Sequence, residues 1–353
     1  MRAAVYHGPH DVRIESVADP EPPAPGELLL RVARAAICGS DCGEYLHGPV
    51  LVPLRERHPG SGHVGPLVLG HELVGVVEAV GPDVEGFAPG DRVVTGAGVS
   101  CGRCDWCARG RTNLCERYYT IGLQAHGGLA ERVVVPASTC LAVPDGCSDE
   151  AAALAQPFAV GIHAFTRAQT RAGDSVAVLG AGGIGMFVVA AAAAGEAGRV
   201  IAVDVDPPRL EIARAVGATD VVDARATDAA EAVRGLTDGA GAHAVVECTG
   251  IPSGPPTAIA ATRRGGTVVI VGLQKAPVEL DLLDLALREI DLRTSLAHVL
   301  AEDLGPALAQ LAETDLAATV TDRVIALDEL VPEGLEALAG GHVHGKIVVD
   351  PAR

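Results

Sequence analysis

Four cysteines, Cys101, Cys104, Cys107 and Cys115, lie in the stretch CGRCDWCARGRTNLC at the spacing C-x2-C-x2-C-x7-C. Four thiolates so close in sequence suit a tetrahedral zinc site, and a site whose every position is taken by protein is structural rather than catalytic. An iron–sulfur cluster competes, since C-x2-C-x2-C also opens ferredoxin motifs, but there the last cysteine precedes a proline. Here Glu116 follows Cys115. A nucleic-acid-binding zinc ribbon is the other common owner of four cysteines.

A second group is sparser. CGSDCGEYLHG, residues 38–48, places Cys38 and Cys42 four apart, and GHE places His71 beside Glu72. A catalytic zinc takes a few protein ligands and keeps one position open. On spacing alone, both cysteines, one or neither can belong to such a site. A third group, GAGGIG, sets Gly180, Gly182 and Gly185 at G-x-G-x-x-G, with Gly183 and Ile184 between the last two. It follows the apolar run SVAVL and opens an alanine-rich stretch, the strand–turn–helix context in which this motif holds a dinucleotide pyrophosphate. Asp204 ends the next apolar run, 19 residues past Gly185. A carboxylate there accepts bonds from the adenosine ribose and repels a 2′-phosphate, which favours NAD over NADP. Asp206 reads as the start of a turn, and Arg209 is the nearby residue that would accommodate a phosphate.

These groups need elements to hold them. The chain has 353 residues, 48% of them hydrophobic and 20% charged, which suits two folded domains. Aromatics are only 3%, so the cores must be aliphatic. Up to about residue 155 short valine-rich runs alternate with glycine and proline, the pattern of a mostly β domain. From about 160 to 294 apolar runs alternate with helical stretches, the pattern of a parallel sheet covered on both faces. The net charge of −18 argues against a nucleic-acid surface. The N-terminus lacks the apolar core of a signal peptide, and no uncharged run reaches the length of a membrane span. The nine cysteines are therefore expected in a reducing, cytoplasmic compartment.

With CGSD, GHE, the four-cysteine lobe and GAGGIG in this order, the chain resembles the zinc-dependent alcohol dehydrogenases of the medium-chain dehydrogenase/reductase superfamily. EYLHGP, PLVLGHE, AQPFAVGIHA and EGLEAL…GKIVV place it nearest the polyol and 2,3-butanediol dehydrogenase branch. The resemblance covers essentially the whole chain. It implies a GroES-like catalytic domain over residues 1–157, with a structural zinc lobe at about 98–117. A Rossmann NAD-binding domain over 158–294 and a return to the catalytic domain over 295–353 complete it.

The same resemblance implies two zinc ions per chain. Cys38 and His71 would ligate the catalytic one, with Asp41 orienting the histidine, Ser40 relaying the substrate proton and Glu72 able to swing in as a ligand. Cys42 falls on a packing position. Val271, Gly272 and Leu273 would lie along the nicotinamide. Two residues depart from the family. Gln156 stands where the branch commonly has a glutamate ligand, and Gly43 stands where many relatives carry a relay histidine, leaving His47 as a nearby substitute. A less anionic ligand set would leave the metal more positive and draw Glu72 towards it.

The implied reaction is reversible hydride transfer between a secondary alcohol, a small vicinal diol or polyol, and NAD. Sugar, aminocyclitol and amino-alcohol substrates are the alternatives within the family. A family member without catalysis and a zinc-free quinone or enoyl reductase are the alternatives outside that activity. The resemblance also implies a homodimer or homotetramer joined through the edge strand of the cofactor domain.

Overall fold

The valine-rich runs that open the chain become strands, because β-branched residues suit a pleated surface with one buried face. The computed structural model describes residues 1–353, which divide into residues 1–159 with 298–353 and residues 160–297. In the first unit Glu27–Ala36 is the spine of a seven-stranded sheet. The order is Cys140–Ala142, Arg92–Thr95, Glu72–Val80, Glu27–Ala36, Lys346–Asp350 and Thr321–Ala326, with Arg132–Pro136 also paired to the spine. Only the pairing of Thr321–Ala326 with Lys346–Asp350 is parallel. A smaller sheet joins Asp11–Ser16, Arg2–Gly8 and Leu67–Val68. The core between them is aliphatic, as the low aromatic content requires: Leu28, Leu30, Leu67, Leu69 and Leu73 are buried around Tyr6. Each such leucine contributes roughly 1.5–3 kcal/mol.

Register decides what meets at the end of this sheet. Ala36 lies opposite Glu72, so Cys38 and His71 sit at the same end of neighbouring strands. Val348 also pairs with Ala36, which carries Lys346 to that end from the far C-terminus.

In the second unit six strands run parallel. Their order is Asp220–Asp223, Arg199–Asp204, Ser175–Leu179, Ala242–Glu247, Thr262–Ile270 and Asp291–Thr294. This is the strand order of a Rossmann sheet. Ser175–Leu179 is buried along its whole length, as a strand covered on both faces must be. The chain then turns through Gly180, whose φ of 89° is open to glycine at no steric cost. It enters the helix Gly185–Ala194, which is buried from Gly185 through Ala192. A side chain on Gly185 would collide with the Gly180 carbonyl. Gly185→Ala is therefore expected to lower stability by about 1–3 kcal/mol, the usual cost of overpacking, measured as a lower thermal unfolding midpoint.

Candidate metal centre and dinucleotide site

The helix Gly39–His47 begins at Cys38, whose backbone N–H donates to Asp41 Oδ2 at 2.9 Å. Asp41 turns its other oxygen to His71 Nδ1 at 3.6 Å, so one carboxylate fixes both the helix start and the imidazole. Ser40 Oγ lies 3.4 Å from His71 Nε2, on the other side of the ring. Ligand atoms of Cys38, His71 and Glu72 lie within 4.8 Å of one another. Asp41 and Glu72 are fully buried and His71 nearly so.

One cation reaches this cluster from the protein. Lys346, itself buried, places Nζ 2.6 Å from Glu72 Oε2 and donates to the Ile37 carbonyl at 2.9 Å. Asp41 Oδ1, His71 Nδ1 and both Glu72 oxygens lack a well-angled hydrogen bond, so the contact with Lys346 is an ion pair by distance only. Burial disfavours a charged His71, but Asp41, Cys38 and Glu72 outweigh it and lift the ring's pKa to about 10. The site thus attracts positive charge. Once a metal displaces the protons of His71 and Cys38, a thiolate and the carboxylates of Asp41 and Glu72 face Lys346, an excess of two negative charges that one divalent ion matches. A thiolate, an imidazole and an oxygen donor are a zinc donor set. The residues fit the metal.

Gln156 is buried at the second position of the helix Ala155–Ala168. Cys42 packs against the core, its sulfur 3.7 Å from the Leu335 carbonyl. The space beside Gly43 is open, and His47 is exposed at the last turn of its helix.

The sulfurs of Cys101, Cys104, Cys107 and Cys115 also lie within 4.8 Å of one another. Backbone N–H groups of Cys101 and Arg117 donate to Cys115 Sγ at 3.2 and 3.3 Å. Backbone N–H groups of Arg103 and Cys104 pull the Cys101 thiol down to about 6, while burial pushes Cys115 up to about 11. Such donors stabilise thiolates, which a bound dication needs.

At the other site, a Cβ on Gly182 would meet only Arg209 Nη1, at 3.7 Å, so the turn keeps an open approach for a pyrophosphate. Gly183 and Ile184 complete the turn before the helix. Asp204 is buried, and its Oδ2 accepts from Ala181 N at 2.7 Å while Oδ1 accepts from Val205 N and Asp206 N. Each carboxylate oxygen has lone-pair capacity beyond these bonds. Arg209 pairs with Asp206 at 3.4 Å. Val271 and Gly272 donate to the Glu247 carbonyl, and Leu273 is 73% exposed.

Two residues here escaped sequence reasoning. Lys346 carried one signal: only two lysines stand beside 25 arginines in this chain. Glu247 is a fully buried carboxylate at the end of the strand Ala242–Glu247, after the apolar run Ala244–Val246. It accepts from Thr249 N at 2.7 Å, Gly250 N at 3.1 Å and Gln274 Nε2 at 3.3 Å, tying two loops together.

The comparisons agree with this geometry. Residues 24–145 match the family model described as an alcohol dehydrogenase GroES-like domain, and residues 183–313 match that of a zinc-binding dehydrogenase. A (R,R)-butanediol dehydrogenase of Bacillus subtilis is 34% identical over 99% of this chain and 100% of its own. A sorbitol dehydrogenase of the same organism is 37% identical over 83% of this chain and 81% of its own. The crystal structure of 2R,3R-butanediol dehydrogenase from Bacillus subtilis superposes with a TM-score of 0.91 at 32% identity, covering 99% of both chains. The chain belongs to the zinc-dependent alcohol dehydrogenases of the medium-chain dehydrogenase/reductase superfamily, within the butanediol and polyol dehydrogenase branch.

Metal analysis is expected to find two zinc ions per chain. His71→Ala should lose one and Cys107→Ser the other. Lys346→Met leaves Glu72 unpaired, a change that costs about 3–5 kcal/mol when a buried pair is broken. Zinc offers the orphaned carboxylate a second cation, so the fall in melting temperature should be larger with chelator than with zinc. An equal fall in both forms would show that Glu72 and the metal do not share charge.

Proposed function

We propose that this protein oxidises the secondary hydroxyl of a small vicinal diol or polyol, reversibly, with NAD as hydride acceptor. The observation that carries this reading is the Cys38–His71–Glu72 cluster, its histidine and glutamate buried and its cysteine half-buried, in a chain that also bears a complete dinucleotide fingerprint. Zinc, when bound, polarises the hydroxyl oxygen, and NAD takes the hydride. In this proposal Cys38, His71 and Gln156 would hold the ion, with Glu72, paired to Lys346, as a further oxygen donor. Asp41 keeps His71 in the tautomer that presents Nε2 outward. Ser40 accepts the substrate proton, and with glycine at position 43 the proton leaves through water or the cofactor ribose. Gly180, Gly182, Gly183, Ile184 and Gly185 cradle the pyrophosphate, Asp204 accepts the ribose hydroxyls, and Arg209 flanks them. Val271, Gly272 and Leu273 border the nicotinamide.

The small vicinal diol is favoured because the butanediol relatives match along the full chain. A panel of diols, polyols and amino alcohols, followed by NADH absorbance at 340 nm, should give the highest kcat/KM with a vicinal diol. NADP run in parallel should be the poorer cofactor. Asp204→Asn should narrow that preference by about tenfold, or 1.4 kcal/mol. A wild-type preference for NADP would overturn the role given to Asp204.

The reading extends to assembly and compartment. Leu282, Leu283 and Leu287 are 68–71% exposed beside the sheet's edge strand Asp291–Thr294, where Leu292 and Leu296 are also exposed. An open strand edge flanked by apolar side chains supports pairing between copies of the chain. We therefore place the protein as a homodimer or homotetramer. Leu292→Asp is expected to shift it to a smaller species in light scattering after size exclusion. No helix is long and apolar enough to cross a membrane, and all nine cysteines are free of disulfides, which supports a reducing cytoplasm.

A further inference from the structure

A cavity of about 760 Å³ opens on the second unit at Thr262, the first residue of the strand Thr262–Ile270. The fingerprint follows Leu179, at the other end of the sheet, where Ile270 aligns with Glu247 and Glu247 with Leu179. The cavity is therefore distinct from the dinucleotide site.

Its lining is anomalous in charge. Arg234, Arg263, Arg264 and Arg288 face Asp281 and Asp284, four cations against two anions, in a chain of net charge −18. Two of the arginines have structural work. Arg234 donates to the Ala260 carbonyl at 2.7 Å, and Arg288 pairs with Asp284 at 2.8 Å and bonds the Ile259 and Thr262 carbonyls. Asp281 accepts from the backbone N–H groups of Leu283 and Asp284; it keeps its charge but pairs with no arginine, so the cations stay in excess. The other two are not neutralised. Arg264 is exposed and bonds only the Leu287 carbonyl. Arg263 makes no ion pair, and its Nε is buried without a hydrogen-bond partner. Backbone geometry aims them: between the Ala242–Thr262 and Ala244–Thr267 pairings the strand bulges, and Gly265 takes φ 68°. Bulges of this kind re-aim side chains.

Unpaired guanidinium groups in a concave, partly apolar site recognise oxyanions, phosphate above all. The volume exceeds what one phosphate fills and falls in the range of small-molecule sites. Pro256, Ile259 and Leu280 supply an apolar wall for an organic body. We propose that this cavity binds a phosphorylated small molecule, its phosphate on Arg263 and Arg264 and its body against Ile259 and Leu280. The inference stands apart from the dehydrogenase reading.

The test is calorimetric titration of the full chain, loaded with zinc and saturated with NADH so that the dinucleotide site is filled. The probes are inorganic phosphate, fructose 1,6-bisphosphate and AMP, with NADH fluorescence confirming that the cofactor stays bound. At least one organic phosphate should bind wild type about tenfold more tightly than inorganic phosphate, the worth of about one added contact surface. Arg263→Gln/Arg264→Gln should weaken it by at least about tenfold, since each charge-assisted bond is worth that much. Arg264→Gln alone, at an exposed side chain, should weaken it in the same direction if the double variant fails to fold. Whichever organic probe binds more tightly names the body the apolar wall accepts, and either order supports the site. No binding at millimolar probe, binding unchanged in both variants, or inorganic phosphate matching the organic probes would overturn it.

Discussion

Buried negative charge at one end of the first unit's sheet is the constraint around which that unit is organised. Cys38, Asp41 and Glu72 converge on His71; the two carboxylates and the ring are shut off from water, and an isolated ion in such a place costs several kcal/mol. The chain meets that cost with geometry. Pairing Ala36 with Glu72 brings the ligands together, and pairing Val348 with Ala36 brings a lysine from the opposite terminus. A one-residue slip in either pairing would turn these side chains to the other face. The bulges recorded within the Glu27–Ala36 and Glu72–Val80 pairing fall before the site, and from Arg34 to Ala36 the register runs without interruption.

The second unit rests on a different constraint, close approach. Its first crossover works because a glycine at 185 lets the helix touch the Gly180 turn, and because only the end of the Arg209 side chain comes near Gly182. Cohesion comes from a sheet whose central strands are mostly apolar, with Asp204 and Glu247 as buried carboxylates at strand ends. Both carboxylates accept mainly from backbone N–H groups of the loops they organise. A buried acid at the end of an apolar strand here fixes loops before it does anything else.

The difference between the two constraints explains what could be read from the residues in order. The fingerprint and the four-cysteine lobe are local: each is complete within a short stretch, so spacing reveals it. The mostly β and α/β halves were legible for the same reason, since the periods of strand and helix are local. Cys38 and His71 are far apart in sequence, and spacing left Cys42 an equal candidate until the family resemblance separated them. The structure gives the physical reason: Cys42 sits on the helix face that packs towards Leu335. Lys346 belongs to a strand whose partner lies at the other end of the chain, and no local pattern announces such a pairing. The strand that holds Arg263 and Arg264 begins at Thr262 and carries those residues in a bulge, which depends on its pairing with Ala242–Glu247 rather than on any local pattern.

The glutamine proposed as a ligand at position 156 has a physical rationale in the charge count. With metal bound, the Cys38 thiolate, Asp41 and Glu72 against Lys346 leave an excess that one divalent ion would cancel, so a neutral donor at 156 would close the site without residual charge. A glutamate there would leave the buried site one charge negative, and a second buried cation or a proton would have to follow it. The pairing of Glu72 with Lys346 is part of the same balance: a carboxylate already faced by an ammonium group has less to gain from the metal than an orphaned one. Two forces therefore act on Glu72 in opposite directions. In the proposed ligand set the neutral glutamine would draw it inward, and the lysine holds it back. Of the two, only the lysine is fixed by the backbone, since its strand is pinned on both sides by Thr321–Ala326 and Glu27–Ala36.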